Sequence, residues 1–227
     1  HNDDRCKNYH YFVFEGEHDT FFDIIIVTPG GQKHSWSFSQ TFINFEPIYF
    51  QNSIYFYYGD SNASKLAELK CFKDNLLSIS NEKLSQSFNF LTAYPETGLI
   101  QVFKGGLIKL QNQEFRLTIS SAKWLHYNEG KLLILTYHGL ILTLSLRTSE
   151  QTIIFDIKNL DLPVCRFEDL IVDANGKVVV FGYKNKADLI FLNWADVKII
   201  RKLSLGKPVE QFNLSSKFLN LYTHALQ

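Results

Sequence analysis

Residues Gly130–His138 read GKLLILTYH, and residues Gly176–Lys184 read GKVVVFGYK. The second stretch starts 46 residues after the first, and both run Gly-Lys, four apolar residues, a small residue, Tyr and a basic residue. A glycine turn followed by a short apolar run is typical of a β-hairpin. The pair therefore predicts an internal repeat of hairpin-forming units.

Each copy has the same flanking pattern. A run that ends in a turn precedes it, and two further apolar runs follow it. Four strands per unit at this spacing are typical of β-propeller blades, which take about 40–50 residues each. The 227 residues would hold about five such blades, as a small closed ring or as part of a larger one. The following runs are Leu140–Leu146 and Thr152–Ile157 in the first copy, and Asp188–Asn193 and Lys198–Leu203 in the second.

Composition favours the same all-β class. Hydrophobic residues make up 45% of the chain, which excludes general disorder. Aromatic residues make up 15%, and such side chains favour strands. One stretch, Val209–Leu221, fits neither period cleanly and is interpreted as a helix. The candidate strands are His10–Glu15, Thr20–Val27, Ile48–Phe50, Ile54–Tyr58, Lys65–Cys71, Leu76–Ile79, Leu99–Phe103, Leu107–Leu110, Ala122–Tyr127, Lys131–Tyr137, Leu140–Leu146, Thr152–Ile157, Phe167–Val172, Lys177–Tyr183, Asp188–Asn193 and Lys198–Leu203.

Charge and cysteine content narrow the function classes. The formal net charge is +0, which argues against a chain that coats nucleic acid. Cys6, Cys71 and Cys165 form no C-x-x-C pair, so we expect a reducing compartment and no disulfide framework. Apolar runs such as Ile24–Val27 are too short to cross a bilayer, so no membrane partner is expected. The chain begins at His1 without Met, and we expect it to be a piece of something longer.

The segment Leu99–Leu110, LIQVFKGGLIKL, resembles one shared by three large nuclear proteins. These are the third subunit of splicing factor 3b, the large subunit of the damaged-DNA-binding protein, and the large subunit of the cleavage and polyadenylation specificity factor. Their segment reads Leu/Ile-Gln-Val, a glycine turn, and a basic–apolar strand. The resemblance runs in order along most of residues 10–205. The other similar segments are Phe12–Ile26, Phe50–Leu69, Lys131–Leu146 and Val164–Leu203.

The resemblance has departures. Asn62 stands where the family has glycine, although Ser64 and Leu66 match. Between Cys71 and about Leu76, the family has a long stretch that closes one propeller and opens the next, and it is missing here. Either the protein has lost this stretch or, as we expect, the sequence joins ordered pieces across it.

The resemblance implies a domain organisation. Family members carry three seven-bladed propellers and a helical region. We therefore expect residues 1–72 to form the last blades of a first propeller, and residues 73–205 to form blades of a second. Residues 206–227 would be a continuation of uncertain type.

The resemblance also implies a function. Family members are scaffolds and not enzymes, so we expect a nuclear scaffold that holds other protein subunits. Contact with RNA or DNA would be indirect or local. Phe12–Ile26 and Leu99–Leu110 are more similar to the splicing subunit, which favours pre-mRNA splicing within the spliceosome, whereas Ser64 is more similar to the other two. The alternatives in the family are the adaptor of a cullin ubiquitin ligase in DNA repair and a subunit of the mRNA 3′-end processing machinery.

An alternative of another class is a propeller hydrolase. No G-x-S-x-G motif surrounds Ser35, Ser61 or Ser121, which are interpreted as turn serines. Gly30-Gly31 and Gly105-Gly106 lack the spacing of a phosphate-binding loop. We therefore expect no catalytic, cofactor-binding or metal site. The acidic and metal-ligating candidates, by residue type alone, are Asp60, Glu168, Asp169, and the group His10, His18, Asp19, Asp23 and His34.

Two further features leave alternatives open. Basic residues form two candidate nucleic-acid patches, although lysine on an edge strand more often blocks edge-to-edge pairing. Dense aromatic residues near position 50 either pack between blades or form a partner interface. The basic patches are Lys104, Lys109, Lys123 with Trp124, and Lys184, Lys186, Lys198, Arg201 with Lys202. The aromatic residues are Phe42, Phe45, Tyr49, Tyr55, Tyr57 and Tyr58.

Overall fold

The computed structural model describes residues 10–15, 22–38, 47–59, 64–71, 77–83, 88–160, 162, 166–214 and 219–223. These residues form 20 strands in five antiparallel sheets, which we name blades 1 to 5 in chain order. The predicted all-β, blade-like architecture is confirmed. By compactness the chain divides into two units, residues 1–118 and residues 119–227.

The first unit holds blades 1, 2 and 3. Blade 1 has three described strands, and blades 2 and 3 have four each, with each strand hydrogen-bonded to the next along the chain. The strands are β1 His10–Glu15, β2 Phe22–Val27, β3 Lys33–Phe38, β4 Ile48–Phe50, β5 Ser53–Gly59, β6 Ser64–Cys71, β7 Leu77–Lys83, β8 Phe88–Tyr94, β9 Gly98–Phe103, β10 Leu107–Leu110 and β11 Gln113–Arg116.

Aromatic rings join blades 2 and 3. Tyr57 of blade 2 lies 4.9 Å from Phe88 of blade 3, which stacks on Phe103 at 4.7 Å between ring centroids. The Tyr57 hydroxyl donates a hydrogen bond to the carbonyl of Asn89 at 3.0 Å. The division predicted after residue 72 falls between β6 and β7, which pair with each other in blade 2. The two-propeller organisation stays a prediction.

The second unit holds blades 4 and 5. Blade 4 has the order β12-β13-β14-β15, and blade 5 has the order β16-β17-β18-β19-β20. Two short 3-10 helices, Ile157–Asn159 and Phe167–Asp169, lie between β15 and β16. The strands are β12 Ala122–Asn128, β13 Lys131–Thr136, β14 Leu140–Ser145, β15 Gln151–Asp156, β16 Leu170–Asn175, β17 Val178–Tyr183, β18 Lys186–Asn193, β19 Lys198–Leu214 and β20 Leu219–Thr223.

The repeated stretches that begin at Gly130 and Gly176 form the centre of blades 4 and 5. β13 and β17 are the second strands of their sheets, and each is buried along most of its length. Leu133 and Leu135 of blade 4 pack in one cluster with Val179 and Phe181 of blade 5. Neither sheet can bury this apolar face alone, so the two blades stabilise each other.

The hairpin turn before β13 depends on its glycine. Gly130 has φ +77°, and the preceding Glu129 has φ 47°. Two consecutive residues in the left-handed region form a type I′ hairpin turn, whose twist matches that of the flanking strands. Gly130 is therefore the last residue of a tight turn, and Lys131 is the first residue of a buried strand.

The helix predicted at Val209–Leu221 is wrong. β19 continues from Lys198 to Leu214, and its last part pairs with β20. A β-bulge between Val209 and Gln211 places Val209 and Phe212 on one face of the strand, where both pack on Val180 and Leu189 of blade 5. The bulge interrupts the strict alternation of a strand, which is why the apolar residues of this segment fitted neither period cleanly.

Candidate functional site

A groove of about 300 Å³ lies between blades 4 and 5, at the end that carries the β12–β13 and β16–β17 turns. Its volume is at the lower end of the range for ligand pockets, roughly 300–1,000 Å³. Both blades contribute to it. The lining includes Glu129, Lys131, Thr143 and Ile154 from blade 4, and Lys177 and Trp194 from blade 5.

The repeat brings the two lysines together at this groove. Lys131 is the first residue of β13, and Lys177 directly precedes β17. Each follows the glycine of its copy of the repeat, so the two hold corresponding positions in the sequence. In the structure Lys131 begins the strand, whereas Lys177 is the last residue of the turn. Sequence reasoning identified the Gly-Lys pairs as strand starts but did not assign them a binding role. The signal that could have revealed the site was the recurrence of a charged residue at the same place in two copies.

The floor of the groove continues the core between the blades. Thr143 is paired with Leu133 across the β13–β14 ladder, and paired residues point to the same face of a sheet. Leu133 is fully buried in the interblade cluster, and Ile154 packs against that cluster. The groove is therefore where the apolar interface between the blades reaches the surface.

Trp194 is held in place by two hydrogen bonds. Its indole Nε1 donates to the carbonyl of Gly176 at 2.8 Å, and its backbone N donates to the carbonyl of Lys177 at 2.9 Å. Because the indole N–H is already satisfied, the ring presents its apolar surface to the groove. Trp194 and Ile154 thus form apolar walls beside two cationic groups.

The electrostatics of the groove are positive. Lys131 and Lys177 are exposed, and in the part of the chain that the structure describes neither ammonium group forms an ion pair. Glu129 is the one carboxylate among the lining residues. The groove can therefore bind an anionic group with an apolar neighbour.

A second polar group lies on β12 and around the start of blade 5. The ammonium Nζ of Lys123 is buried and has no hydrogen-bond partner among the described residues. Burial lowers the pKa of Lys123, and nearby Asp169 and Glu168 oppose that shift. Burial also lowers the pKa of His126, opposed by Asp173. Because the Lys123 ammonium is closed to solvent, we regard this group as structural.

Those acidic and metal-ligating candidates that the structure describes do not form a centre. Asp23 of β2 is three positions from Ile26, which pairs with His34 of β3. Residues three apart on a strand point to opposite faces, whereas paired residues point to the same face, so Asp23 and His34 lie on opposite faces of blade 1. Among the described residues, no three His, Cys, Asp or Glu side chains are placed to hold a metal ion. Cys6, His18, Asp19, Asp60, Ser61 and Cys165 lie outside the described residues.

The acidic pair and the turn serines have ordinary surroundings. Glu168 and Asp169 lie 3.7 Å and 3.6 Å from Arg166 in a 3-10 helix, and not at the start of a strand as predicted. Ser121 precedes β12, and its carbonyl accepts a hydrogen bond from the backbone N of Tyr137. Ser35 lies within β3 and not in a turn.

The first basic patch divides between the two units. Lys104 and Lys109 lie in blade 3, and Lys109 pairs with Glu114 at 2.7 Å, whereas Lys123 and Trp124 lie in blade 4. The rings of Trp124 and His126 stack with centroids 6.1 Å apart.

The second basic patch is brought together mainly on β19, whose first half is exposed. Ile199 and Ile200 are 39% and 57% exposed beside Lys198, Arg201 and Lys202. In the described residues this half pairs with β18 on one side only. A register irregularity at Ile200 interrupts the edge, which together with the lysines fits protection against edge-to-edge pairing.

The aromatic residues near position 50 serve mainly in packing. Tyr57 and Tyr58 are buried, and Tyr55 is half-buried and donates a hydrogen bond to Glu68 at 2.9 Å. Tyr49 is the member that remains exposed among those described. Phe42 and Phe45 lie outside the described residues.

In the described ranges, no helix is both long and apolar enough to span a bilayer.

Comparison with known proteins shows the fold. No protein-family model matches the chain, and no curated protein does. Among solved structures, the β-propeller domain of Myceliophteria thermophila Cps50 (Swd1) is similar with a TM-score of 0.60 and 12% identity, over 97% of this chain and 82% of that one. Saccharomyces cerevisiae Sqt1 is similar with a TM-score of 0.58 and 11% identity, over 94% of this chain and 65% of that one.

An enzyme is also among the similar structures. Dihydro-heme d1 dehydrogenase NirN has a TM-score of 0.61 and 9% identity, over 92% of this chain and 47% of that one. Identities this low carry the architecture and not the activity. Together with the five antiparallel sheets, these similar structures show that the chain is built of β-propeller blades.

Proposed function

We propose that the chain is a non-enzymatic scaffold that binds other proteins through its propeller blades. The observation that carries the proposal is the groove between blades 4 and 5. There a fixed Trp194 and two lysines, which form no ion pair with any described residue, surround an opening of the interblade core. Such a surface offers apolar contact and charge, which are the elements of a protein-binding site. No group of side chains in the described residues favours a reaction.

The cellular setting is a finer proposal and rests on the resemblance in sequence. The collinear similarity of residues 10–205 to the three nuclear scaffold proteins favours a nuclear multiprotein complex. Within that family, Phe12–Ile26 and Leu99–Leu110 favour the splicing factor 3b complex in pre-mRNA splicing. The alternatives are a cullin ubiquitin ligase in DNA repair and the mRNA cleavage and polyadenylation machinery, towards which Ser64 points.

Purification of the full-length native protein with its bound partners tests the proposal. A tag on the native protein, followed by mass spectrometry of the co-purified proteins, should recover a fixed set of subunits. Splicing proteins that act at the branch site would support the splicing assignment. A cullin, or polyadenylation factors, would move the protein to a sister complex. A protein that purifies alone would contradict the scaffold proposal.

A further inference from the structure

We infer that the groove between blades 4 and 5 binds an extended segment of a partner protein. In this segment an acidic residue lies next to an apolar one. The acidic side chain lies between Lys131 and Lys177, and its apolar neighbour packs on Trp194 and Ile154. This inference rests on the proposed scaffold function and names the chemistry of the partner.

Charge selects the acidic residue. Neither lysine has an anionic partner among the described residues, and Glu129 is the one carboxylate that lines the groove. An incoming carboxylate would therefore supply charge that none of the described residues provides. Ammonium–carboxylate hydrogen bonds are stronger than neutral ones, so this contact favours an acidic ligand over a neutral peptide.

The walls of the groove select the apolar residue. The indole of Trp194 cannot swing away without losing its 2.8 Å bond to the Gly176 carbonyl, so it forms a pre-positioned surface. Ile154 and the interblade cluster lie below it. Tryptophan is among the residues that contribute most to binding energy in protein interfaces.

The size of the groove selects a short segment. About 300 Å³ is enough for a few side chains, and too small for a folded element such as a helix to enter. Because its two walls come from different blades, the segment would contact both sheets at once. An extended peptide meets these limits, since its successive side chains point in alternate directions.

Cross-linking of the native complex tests where the partner binds. A carbodiimide couples a lysine amine directly to a carboxyl group, so it records a salt bridge between the chain and its partner. We expect mass spectrometry to find Lys131 or Lys177 joined to an Asp or Glu of a co-purified protein. That partner residue should have an apolar neighbour in its own sequence.

A binding measurement with the identified segment provides the quantitative test. The segment is synthesised as a labelled 15-residue peptide, and its binding to the full-length protein is followed by fluorescence anisotropy. The double variant Lys131→Glu/Lys177→Glu should weaken binding by about tenfold or more, because it replaces two attractive charges with repulsive ones. The control Lys158→Glu/Lys186→Glu makes the same charge change at exposed lysines outside the lining and should stay within about twofold.

The outcomes separate this inference from the scaffold proposal. If partners co-purify but cross-link only to other residues, or if both double variants weaken binding equally, the groove is not the site and the scaffold function stands. If the cross-linked partner residue has no apolar neighbour, the stated partner chemistry is wrong. It is also wrong if RNA occupies the groove and nuclease treatment empties it. If no protein co-purifies, the scaffold proposal itself fails. Unchanged thermal unfolding of both variants would show that the comparison reports binding and not misfolding.

Discussion

The ring of Phe167 fills the space that a side chain at Gly139 would need. A Cβ atom at Gly139 would lie 2.4 Å from both Cε1 and Cζ of Phe167, closer than carbon atoms approach. Gly139 belongs to the β13–β14 turn of blade 4, and Phe167 begins the 3-10 helix that leads into blade 5. A glycine in one blade thus sets how closely the next blade can pack.

Replacement of this glycine should destabilise the second unit. Gly139→Ala adds a clash with Phe167 to a left-handed backbone at φ +82°, and we expect a loss of about 3 kcal/mol in the free energy of unfolding. Urea denaturation measures it. The matched control is Gly176→Ala, where φ is +55° and no atom lies within 4 Å of the new Cβ, so about 1 kcal/mol should be lost. Equal losses would show that the Phe167 contact contributes nothing.

Val197 is a β-branched residue with φ 55° in the turn before β19. Branching at Cβ makes the left-handed region especially unfavourable, so this turn holds backbone strain. Val197→Asn should raise the free energy of unfolding by about 1 kcal/mol, because asparagine tolerates this conformation. The reverse change, Asn185→Val at φ 64°, should lower it by a similar amount. Thermal unfolding of the two variants checks both signs.

Tyr55 should make the stability fall at high pH. Burial raises the pKa of Tyr55 to about 12, and its hydrogen bond to Glu68 adds to this shift. The folded state therefore favours the neutral phenol, whose ordinary pKa is 10.0. Its contribution is complete below about pH 10 and is lost as the pH rises towards 12. In Tyr55→Phe, unfolding free energies measured from pH 8 to 11.5 should fall less steeply than in the native protein.

A second buried tyrosine limits the size of this effect. Tyr58 keeps its own raised pKa from burial, so Tyr55→Phe should reduce the slope and not abolish it. At neutral pH the variant should lose about 1 kcal/mol, since Glu68 then keeps the Ser53 hydroxyl as its hydrogen-bonded partner. A Tyr55→Phe profile parallel to the native one would contradict the assignment.

Lys123 should oppose folding at neutral pH. Its buried Nζ lacks a hydrogen-bond partner among the described residues, and burial lowers its pKa below 10.5. The charged form is therefore less favourable in the folded state, and this penalty disappears as the pH rises to the ordinary pKa. Lys123→Met should stabilise the protein at pH 7 by up to about 1 kcal/mol, a small value because Asp169 and Glu168 compensate part of the penalty.

A pH series distinguishes charge from packing at this position. The advantage of Lys123→Met should shrink between pH 7 and 10.5 if it comes from the removed charge. An advantage that is constant with pH would come from packing alone. A less stable variant at pH 7 would show that the two carboxylates outweigh the burial of the ammonium.

The buried hairpins were predictable from sequence because their signals are local. Gly130 and Gly176 lie in tight turns, and the four apolar residues that follow each Gly-Lys pair form a strand in both blades. Three of the edge strands carry a weaker signal. β11, Gln113–Arg116, was missed because only Phe115 of its four residues is buried. β3 and β8 were also missed, since polar residues interrupt their apolar pattern.

The last hairpin shows how a repeat can be hidden. Residues 216–224 read SKFLNLYTH, a weaker copy of GKLLILTYH in which Ser replaces the glycine and Asn interrupts the apolar run. The structure places β20 after this Ser-Lys pair, against the end of β19. The binding groove was beyond sequence reasoning for another reason. It depends on the pairing of two blades, and no local pattern reports which lysines lack a partner.

The carboxylate of Asp173 accepts a 2.6 Å hydrogen bond from the backbone N of Leu214, and the two residues are 41 positions apart. The hairpins of blade 5, in contrast, close over a few residues each. Long loops close more slowly than short ones, so this bond should form after the rate-limiting step of folding. Loss of the Asp173 carboxylate should therefore raise the unfolding rate of blade 5 and leave its folding rate nearly unchanged.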